Sequence, residues 1–547
     1  MPTLHWIGKE KVISHHQDVP YRVLEHKYGF KADPLSGSGE EQKEPTNSGN
    51  KIIYGDNLEA LKSLLPEYEG KIKCIYIDPP YNTGNEGWVY NDNVNHPKIN
   101  KWLGEVVGKE GEDLTRHDKW LCMMYPRIKL LQKLLDKDGL IFMSLDDSEL
   151  ENGLHLLNDI FGKQNKLACA PWLAEPSGGK EKRFLRNGHE YILIYHNGTA
   201  SSITQEERSA GSLNLKDKFG KYKKGRELRK WGGTSLRKDR PGQWFPLKTP
   251  NGDEVFPFRN DGKEGHWRWG EKQKMKPIVE NPEIAHWELC PYDEGVIVNG
   301  EKERWVPFEK IREEKKMVGW TTWLNSVGYN SDGTASLKEI FGEKLFDTPK
   351  PVTLIEWLIS LHQDEDAIVL DSFAGSGTTG HAVLNLNKED GGNRKFILIE
   401  MEDYANDITA ERIKRVAKGY GTGTKAIEGT GGEFDFYELG LPLFDENQNL
   451  NEAVDLEKIR EYIWFSETRS TYESRMNQYE LGIKDSTVYY FIYEKDRLTT
   501  LDFDALELIK TKGEQYVIYA DNCLLPGEFM AKKNIIFKKI PRDITRF

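Results

Sequence analysis

Cysteine is scarce and unpatterned in this chain of 547 residues. The five, Cys74, Cys122, Cys169, Cys290 and Cys523, form no CxxC pair and no metal-ligand spacing, so a disulfide framework and a metal site are both excluded from the expectation. No apolar run approaches the roughly 20 residues that cross a bilayer. The first residues (MPTLHWIGKEKVISHHQD) lack the charged-then-apolar pattern of a secretory leader. A cytoplasmic chain with no membrane segment is expected. There is no internal repeat and no GxxxxGK[ST] phosphate loop. Positive charge is short too: the net charge of −12 argues against a nucleic-acid partner, because phosphates are bound mainly by Lys and Arg.

What is present reads differently. Hydrophobic residues make up 37% and charged residues 30%, enough apolar surface for globular cores, and the length suits about two to four domains. The missing positive charge is concentrated locally. Between Gly211 and Arg240, eleven basic residues face three acidic ones.

Residues 1–50 end in the Gly/Ser/Glu-rich run SGSGEEQKEPTNSGN, the composition of a solvated arm or linker. From Lys51 the pattern changes to strand (KIIYGD), helix (NLEALKSLL), strand (KCIYID), long helix (HDKWLCMMYPRIKLLQKLL), turn (DKDG) and strand (LIFMSL), which predicts a parallel α/β sheet over 51–164. Residues 165–345 lose this alternation for Trp-, Gly- and Pro-rich text holding the basic cluster, and read as an inserted domain. The sheet resumes over 346–440 with TLIEWLISLH, AIVLDSF, TGHAVLNLN and KFILIE. Residues 441–547 read as a small C-terminal α/β domain.

Two loops carry the chemistry. DSFAGSGTTG follows the strand AIVL and precedes a helix, so Asp371, Phe373, Ala374, Gly375, Ser376, Gly377 and Thr378 can cradle a nucleotide-like ligand. The spacing is too short for a dinucleotide fingerprint, and a compact cofactor without phosphate fits better. Glu400, closing the strand KFILIE, can take the two hydroxyls of a ribose; the same pair also fits a plain α/β turn with a surface Glu. The second loop, IDPPYNTG from Ile77 to Gly84, leaves the strand KCIYI stiffened by Pro79 and Pro80. An amino group on a heteroaromatic ring is a poor nucleophile, and the Asp78 carboxylate and the Pro79 carbonyl are acceptors that can orient its N–H bonds. Tyr81 can stack on the ring of a base turned out of its helix.

Asp-Pro-Pro-Tyr followed much later by Phe-x-Gly-x-Gly resembles the amino-group DNA methyltransferases in their beta arrangement, over about residues 51–440. DPPYNTG, HDKWLCMMYPRIKLL, LDDSE, HEYILIYH, LRKDRPGQWFP and FYELGLPLF are similar to the modification subunits of type III restriction-modification systems. The resemblance implies a Rossmann-like methyltransferase core using S-adenosyl-L-methionine, interrupted by a target-recognition domain. It implies methylation of adenine N6 in a short asymmetric site of double-stranded DNA, a homodimer, and a helicase-nuclease restriction subunit as partner. A stand-alone enzyme acting on adenine N6 or cytosine N4, an RNA or protein methyltransferase and a catalytically silent DNA-binding subunit remain as alternatives.

On the same resemblance Asp78, Pro79, Pro80 and Tyr81 are catalytic. The glycine-loop residues, Glu400 and the pair Lys350-Pro351 hold the cofactor. Asp56 either meets the cofactor's adenine or merely caps the helix that follows it. Arg237, Lys238, Arg240, Trp244, His266, Trp267, Arg268 and Trp269 are DNA-facing candidates, while a charge run of this kind also suits a solvated face.

Overall fold

The apolar runs that alternate with amphipathic segments assemble into one large mixed sheet. The computed structural model describes residues 4–33, 38–82, 116–178, 185–445, 447–474 and 478–545; Thr83 and Gly84 of the IDPPYNTG loop lie outside the described residues. The described residues form two compact units, 1–204 with 321–547, and 205–320.

In the first unit the strands are β1 (Arg22–Asp33), β2 (Ser38–Gln42), β3 (Lys51–Tyr54), β4 (Ile72–Ile77), β5 (Leu135–Leu145), β6 (Lys166–Leu173) and β7 (His189–His196). The helices among them are α1 (Asn57–Tyr68), α2 (Arg116–Leu134) and α3 (Leu150–Phe161). After the second unit come α4 (Asn330–Phe341), α5 (Val352–Ser360), α6 (Thr378–Asp390) and α7 (Glu411–Lys418), with the strands Ile368–Asp371, Lys395–Glu400 and Gly432–Pro442. With β8 (Leu215–Asp217), β9 (Gly220–Glu227), β10 (Ala285–Pro291) and β11 (Glu303–Ile311) in the second unit, these three are β12, β13 and β14.

The sheet order is β2-β1-β14-β3-β13-β12-β4-β5-β7-β6. From β14 to β5 every neighbour is parallel, and pairing turns antiparallel towards both edges. The parallel strands are buried on both faces, as their unbroken apolar runs require: Ile52, Ile53, Ile75, Ile77, Val369, Leu370 and Ile397 are inaccessible. On α1, Leu58, Leu61, Leu64 and Leu65 form the buried stripe. Each such leucine contributes about 1.5–3 kcal/mol relative to exposure.

Three boundaries differ from the sequence reading. Residues 1–50 are not an arm: β1 pairs with β14, setting Phe30 against Phe434, and Trp6, Val12, Val19 and Tyr21 join the main core. The inserted segment is narrower than 165–345, because β6 and β7 extend the main sheet beyond β5 and α4 belongs to the first unit. The segment DKDG is not a turn: α2 runs straight into β5. Gly139 there passes so close to β4 that an added Cβ would stand 2.9 Å from the Ile72 carbonyl oxygen.

Residues 441–547 do build a sheet of their own, from Glu480–Lys484, Thr487–Phe491, Gln515–Ala520 and Ile535–Lys539. They are not a separate body, however. Tyr462 and Phe465, on the helix Leu456–Thr468, lie in the same core as Tyr21 and Tyr68, and Tyr21 meets Tyr462 edge-on at 4.9 Å.

The second unit centres on β8 (Leu215–Asp217), β9 (Gly220–Glu227), β10 (Ala285–Pro291) and β11 (Glu303–Ile311), in the order β10-β11-β9-β8. A small core of Leu228, Phe245, Leu247, Trp267, Met275 and Val279 packs within it. Among the described residues no helix is long and apolar enough to cross a membrane, and no cluster of His, Cys, Asp and Glu is arranged to hold a metal.

Candidate active site

Parallel pairing of Asp371 with Tyr76 sets the end of β12 beside the end of β4. From there the chain proceeds outward in opposite directions, β4 to β5 on one side and β12 to β13 on the other. Such a switch point opens a crevice at the carboxyl ends of the strands. Here it is a cavity of about 340 Å³. Its wall takes Asp78, Pro79, Pro80 and Tyr81 from the first loop, and Asp371, Ser372, Phe373, Ala374, Gly375, Ser376 and Thr378 from the second. Lys350 and Glu400 line it as well.

The glycine loop is held by its own strand ends. Asp371 accepts from the Phe373 N–H at 3.0 Å and from the Thr379 hydroxyl at 2.5 Å. Glu400 accepts from the Gly375 N–H at 2.7 Å and the Glu402 N–H at 3.0 Å. Burial pushes both carboxyls up to about 7, against these hydrogen bonds, which favour ionisation. Gly375 turns through φ 52°, and a Cβ there would stand 3.3 Å from the Phe346 ring. The buried Arg412 guanidinium donates to the Ser376 hydroxyl at 2.9 Å and to the Thr378 hydroxyl at 2.8 Å, fixing the start of α6 from beneath.

Facing this loop, Trp120 donates its indole N–H to the Pro80 carbonyl at 2.8 Å, so that oxygen belongs to the scaffold. The Asp78 carboxylate takes the Lys350 ammonium on Oδ2 at 2.9 Å, while its Oδ1 is buried without a hydrogen-bond partner. An acceptor left open on a cavity wall is suited to a donor carried by a ligand. Burial raises the Asp78 carboxyl above its ordinary range and the Lys350 ammonium pulls it back. The Tyr81 hydroxyl donates to Glu190 at 2.7 Å, and Lys350 lies 4.9 Å over the Tyr81 ring.

The family model described as DNA methylase matches residues 72–411, a span that takes in both loops. The chain belongs to the DNA methylase family. It is 33% identical over 423 residues to the EcoPI Mod subunit of a type III restriction-modification enzyme from Escherichia phage P1, an overlap of 69% of this chain and 64% of that one. It is 31% identical over 404 residues to the StyLTI Mod subunit from Salmonella typhimurium, covering 68% and 58%. To the type II methyltransferase M.KpnI from Klebsiella pneumoniae it is 32% identical over 386 residues, covering 68% and 84%. The chain thus spans less than two thirds of the length of these two Mod subunits.

Not every expected residue reaches the cavity. Asp56 does not: its Oδ1 accepts from the Leu58 and Glu59 N–H groups as the cap of α1, and Oδ2 lies 3.5 Å from Arg127. The neighbouring Asn57 lines the wall instead, donating to the Ser372 carbonyl and accepting from Arg127 at 2.6 Å. Pro351 caps α5, and Gly377, at φ 81°, shapes the turn; neither is on the wall. Residues not foreseen include Met123 and Arg127, one helical turn apart on α2, with Glu190, Asn330 and Tyr404. A lone Arg on the apolar stripe of HDKWLCMMYPRIKLL was the available signal, since a buried cation needs a partner.

In the second unit the DNA-facing candidates divide. His266 and Trp267 are buried, 3% and 1% exposed, and present almost no surface. His266 bonds the carbonyls of Thr234 and Trp267, and Trp267 donates to that of Phe245. Arg268 is half-buried and donates to the Glu227 carbonyl. Arg237, Lys238 and Arg240 are exposed, with Arg237 stacked 4.9 Å over the half-buried Trp244 and paired to Glu264 at 3.0 Å. Trp269 lies beneath Lys274 and Arg226. The basic run is also partly neutralised by its own unit, through Lys224 with Glu288, Arg226 with Glu309 and Arg229 with Glu227.

Proposed function

We propose that this chain is an S-adenosyl-L-methionine-dependent DNA methyltransferase acting on N6 of an adenine turned out of the duplex, as the modification subunit of a type III restriction-modification system. The observation that carries the reading is the convergence of the Asp78–Tyr81 loop and the glycine loop on one cavity. The walls fit the cofactor: the Gly375 turn, at φ 52°, would bring a Cβ to 3.3 Å from the Phe346 ring, the Glu400 carboxyl suits ribose hydroxyls, and Asp78 keeps one acceptor open.

When bound, the cofactor supplies an electrophilic methyl group on a sulfonium. The chain's part is to position the acceptor. Asp78 Oδ1 and the Pro79 carbonyl take the two N–H bonds, and the Tyr81 ring stacks on the base, so the nitrogen lone pair is aimed at the methyl group. Proximity and alignment carry most of the rate. Asp78 need not be a strong base, because the proton turns acidic only once the nitrogen is alkylated. The second unit reads the target through Lys238, Arg240 and the Arg237–Trp244 stack. On this reading the enzyme is cytoplasmic, homodimeric and paired with a helicase-nuclease subunit.

The test is single-molecule sequencing of DNA from a methylation-free host expressing the chain, beside an Asp78→Ala control. Modified adenines on one strand of a short asymmetric site, absent from the control while cofactor binding persists, are expected. Absence of any modified base in the wild-type strain overturns the reading. A stand-alone enzyme is favoured by the 84% coverage of a type II methyltransferase; it would leave modified bases with no restriction subunit in the operating complex.

A further inference from the structure

We infer that Glu190 is a positioning residue of this site: through Lys350 it sets the charge balance at Asp78, and through the Tyr81 hydroxyl it holds the stacking ring. The inference rests on the proposed reading of the cavity as an amino-methyltransferase site. Glu190 stands at the second position of β7. Its Oε2 accepts from Tyr81 at 2.7 Å and lies 3.5 Å from the Lys350 ammonium, and its Oε1 accepts from Asn330 at 3.2 Å. Lys350 is 8% exposed and lies between two carboxylates, with Asp78 on the nearer side at 2.9 Å. The three charged groups therefore sum to one negative charge.

That sum matters because of where charge appears. As the N–C bond forms, the donor's S–C bond breaks and its electron pair stays on sulfur. Positive charge passes to the nitrogen, which then loses one proton to Asp78 Oδ1 and onward to solvent. A Lys350–Asp78 pair alone would be neutral and would set an ammonium against the developing cation. Glu190 offsets that ammonium and leaves the cluster negative at the place where positive charge develops, the arrangement that favours the transition state over the ground state. The same residue accepts from the Tyr81 hydroxyl, so one side chain touches both the stacking ring and the charge balance.

The groups facing Asp78 are Lys350, Glu190, Tyr81, Tyr76 and Asp371. Burial raises the Asp78 carboxyl, Lys350 lowers it and Glu190 raises it again. The Lys350 ammonium, which burial would depress, is held above its ordinary value by Asp78 and Glu190.

The test is Glu190→Gln, which removes the charge, keeps an acceptor for Tyr81 and turns an amide donor toward Asn330, whose Oδ1 can accept from it, beside Lys350→Met. The expected outcome for Glu190→Gln is a kcat lower by about 100-fold, with KM for DNA and Kd for S-adenosylmethionine within about threefold and the acidic limb of kcat/KM displaced to lower pH. The Asp78 carboxyl, followed by infrared difference against Asp78→Asn without DNA or cofactor, titrates lower in Glu190→Gln and higher in Lys350→Met. Wild-type kcat, or an Asp78 titration unmoved by Glu190→Gln, overturns the inference. So does a loss of activity accompanied by lost cofactor binding and a lower melting temperature, which assigns Glu190 a structural role alone. If the wild-type chain methylates no DNA, the functional reading fails, while the infrared titration still decides whether Glu190 sets the charge at Asp78.

Discussion

Glu400 is 5% exposed on the cavity wall, and burial pushes its carboxyl up to about 7 despite two backbone donors. Hydroxyl donors from a ribose favour the ionised form, so the carboxyl has a lower pKa with ligand bound than without. Binding then expels a proton below pH 7, and affinity for S-adenosylmethionine rises from about pH 5.5 to about 7.5 before levelling. Asp371, also pushed up to about 7 and 2% exposed, contributes to the same window. Glu400→Gln is expected to flatten the rise and weaken binding by about tenfold, the equivalent of 1.4 kcal/mol. Calorimetry across pH in two buffers of unlike ionisation heat measures both effects. For folding the sign is reversed. A carboxyl raised on folding contributes its full stability below its unfolded value of 4.5 and loses it as pH rises through about 7.

At the scale of elements, α1 begins just after Asp56, whose carboxylate caps it. Asp56 ends as the helix cap, and Asp56→Ala is expected to cost about 0.5–2 kcal/mol of stability while cofactor affinity stays within about twofold. A thermal melt with and without S-adenosylmethionine checks it, and a loss of affinity without a loss of stability would return Asp56 to the site. The parallel strands were legible because burial on both faces leaves unbroken apolar runs such as KCIYI and KFILIE. The strand β1, between the edge strand β2 and β14, was not legible. Its sequence RVLEHKYGFKAD carries charge at alternate positions, and its partner β14 lies some 400 residues further along the chain. Local pattern cannot report a pairing of that length. Both chemical loops line the cavity, as their places directly after β4 and β12 imply. Glu190, one carboxylate in the apolar strand HEYILIYH, gains its meaning only when the sheet lays β7 beside β5 and Lys350 arrives from elsewhere in the chain.

On the scale of the whole molecule, charge is a matter of distribution. A net charge of −12 coexists with a unit whose exposed Lys238 and Arg240 stand on short turns beside the Arg237–Trp244 stack. If these side chains meet phosphates, the double variant Lys238→Glu, Arg240→Glu lowers DNA affinity by about tenfold or more near physiological salt. It also reduces the slope of log K against log salt by about two, one for each phosphate no longer neutralised. Cofactor affinity and melting temperature should hold, because both residues are exposed. His266→Ala is expected to do the opposite. With its ring buried and bonded to the Thr234 and Trp267 carbonyls, its removal leaves polar groups unpaired and lowers the melting temperature while the salt slope stays put. Fluorescence anisotropy over a salt series, read beside the melts, separates the two variants. An unchanged slope in the double variant moves phosphate binding off this segment, and a changed slope in His266→Ala shows that the histidine lies at the DNA surface after all.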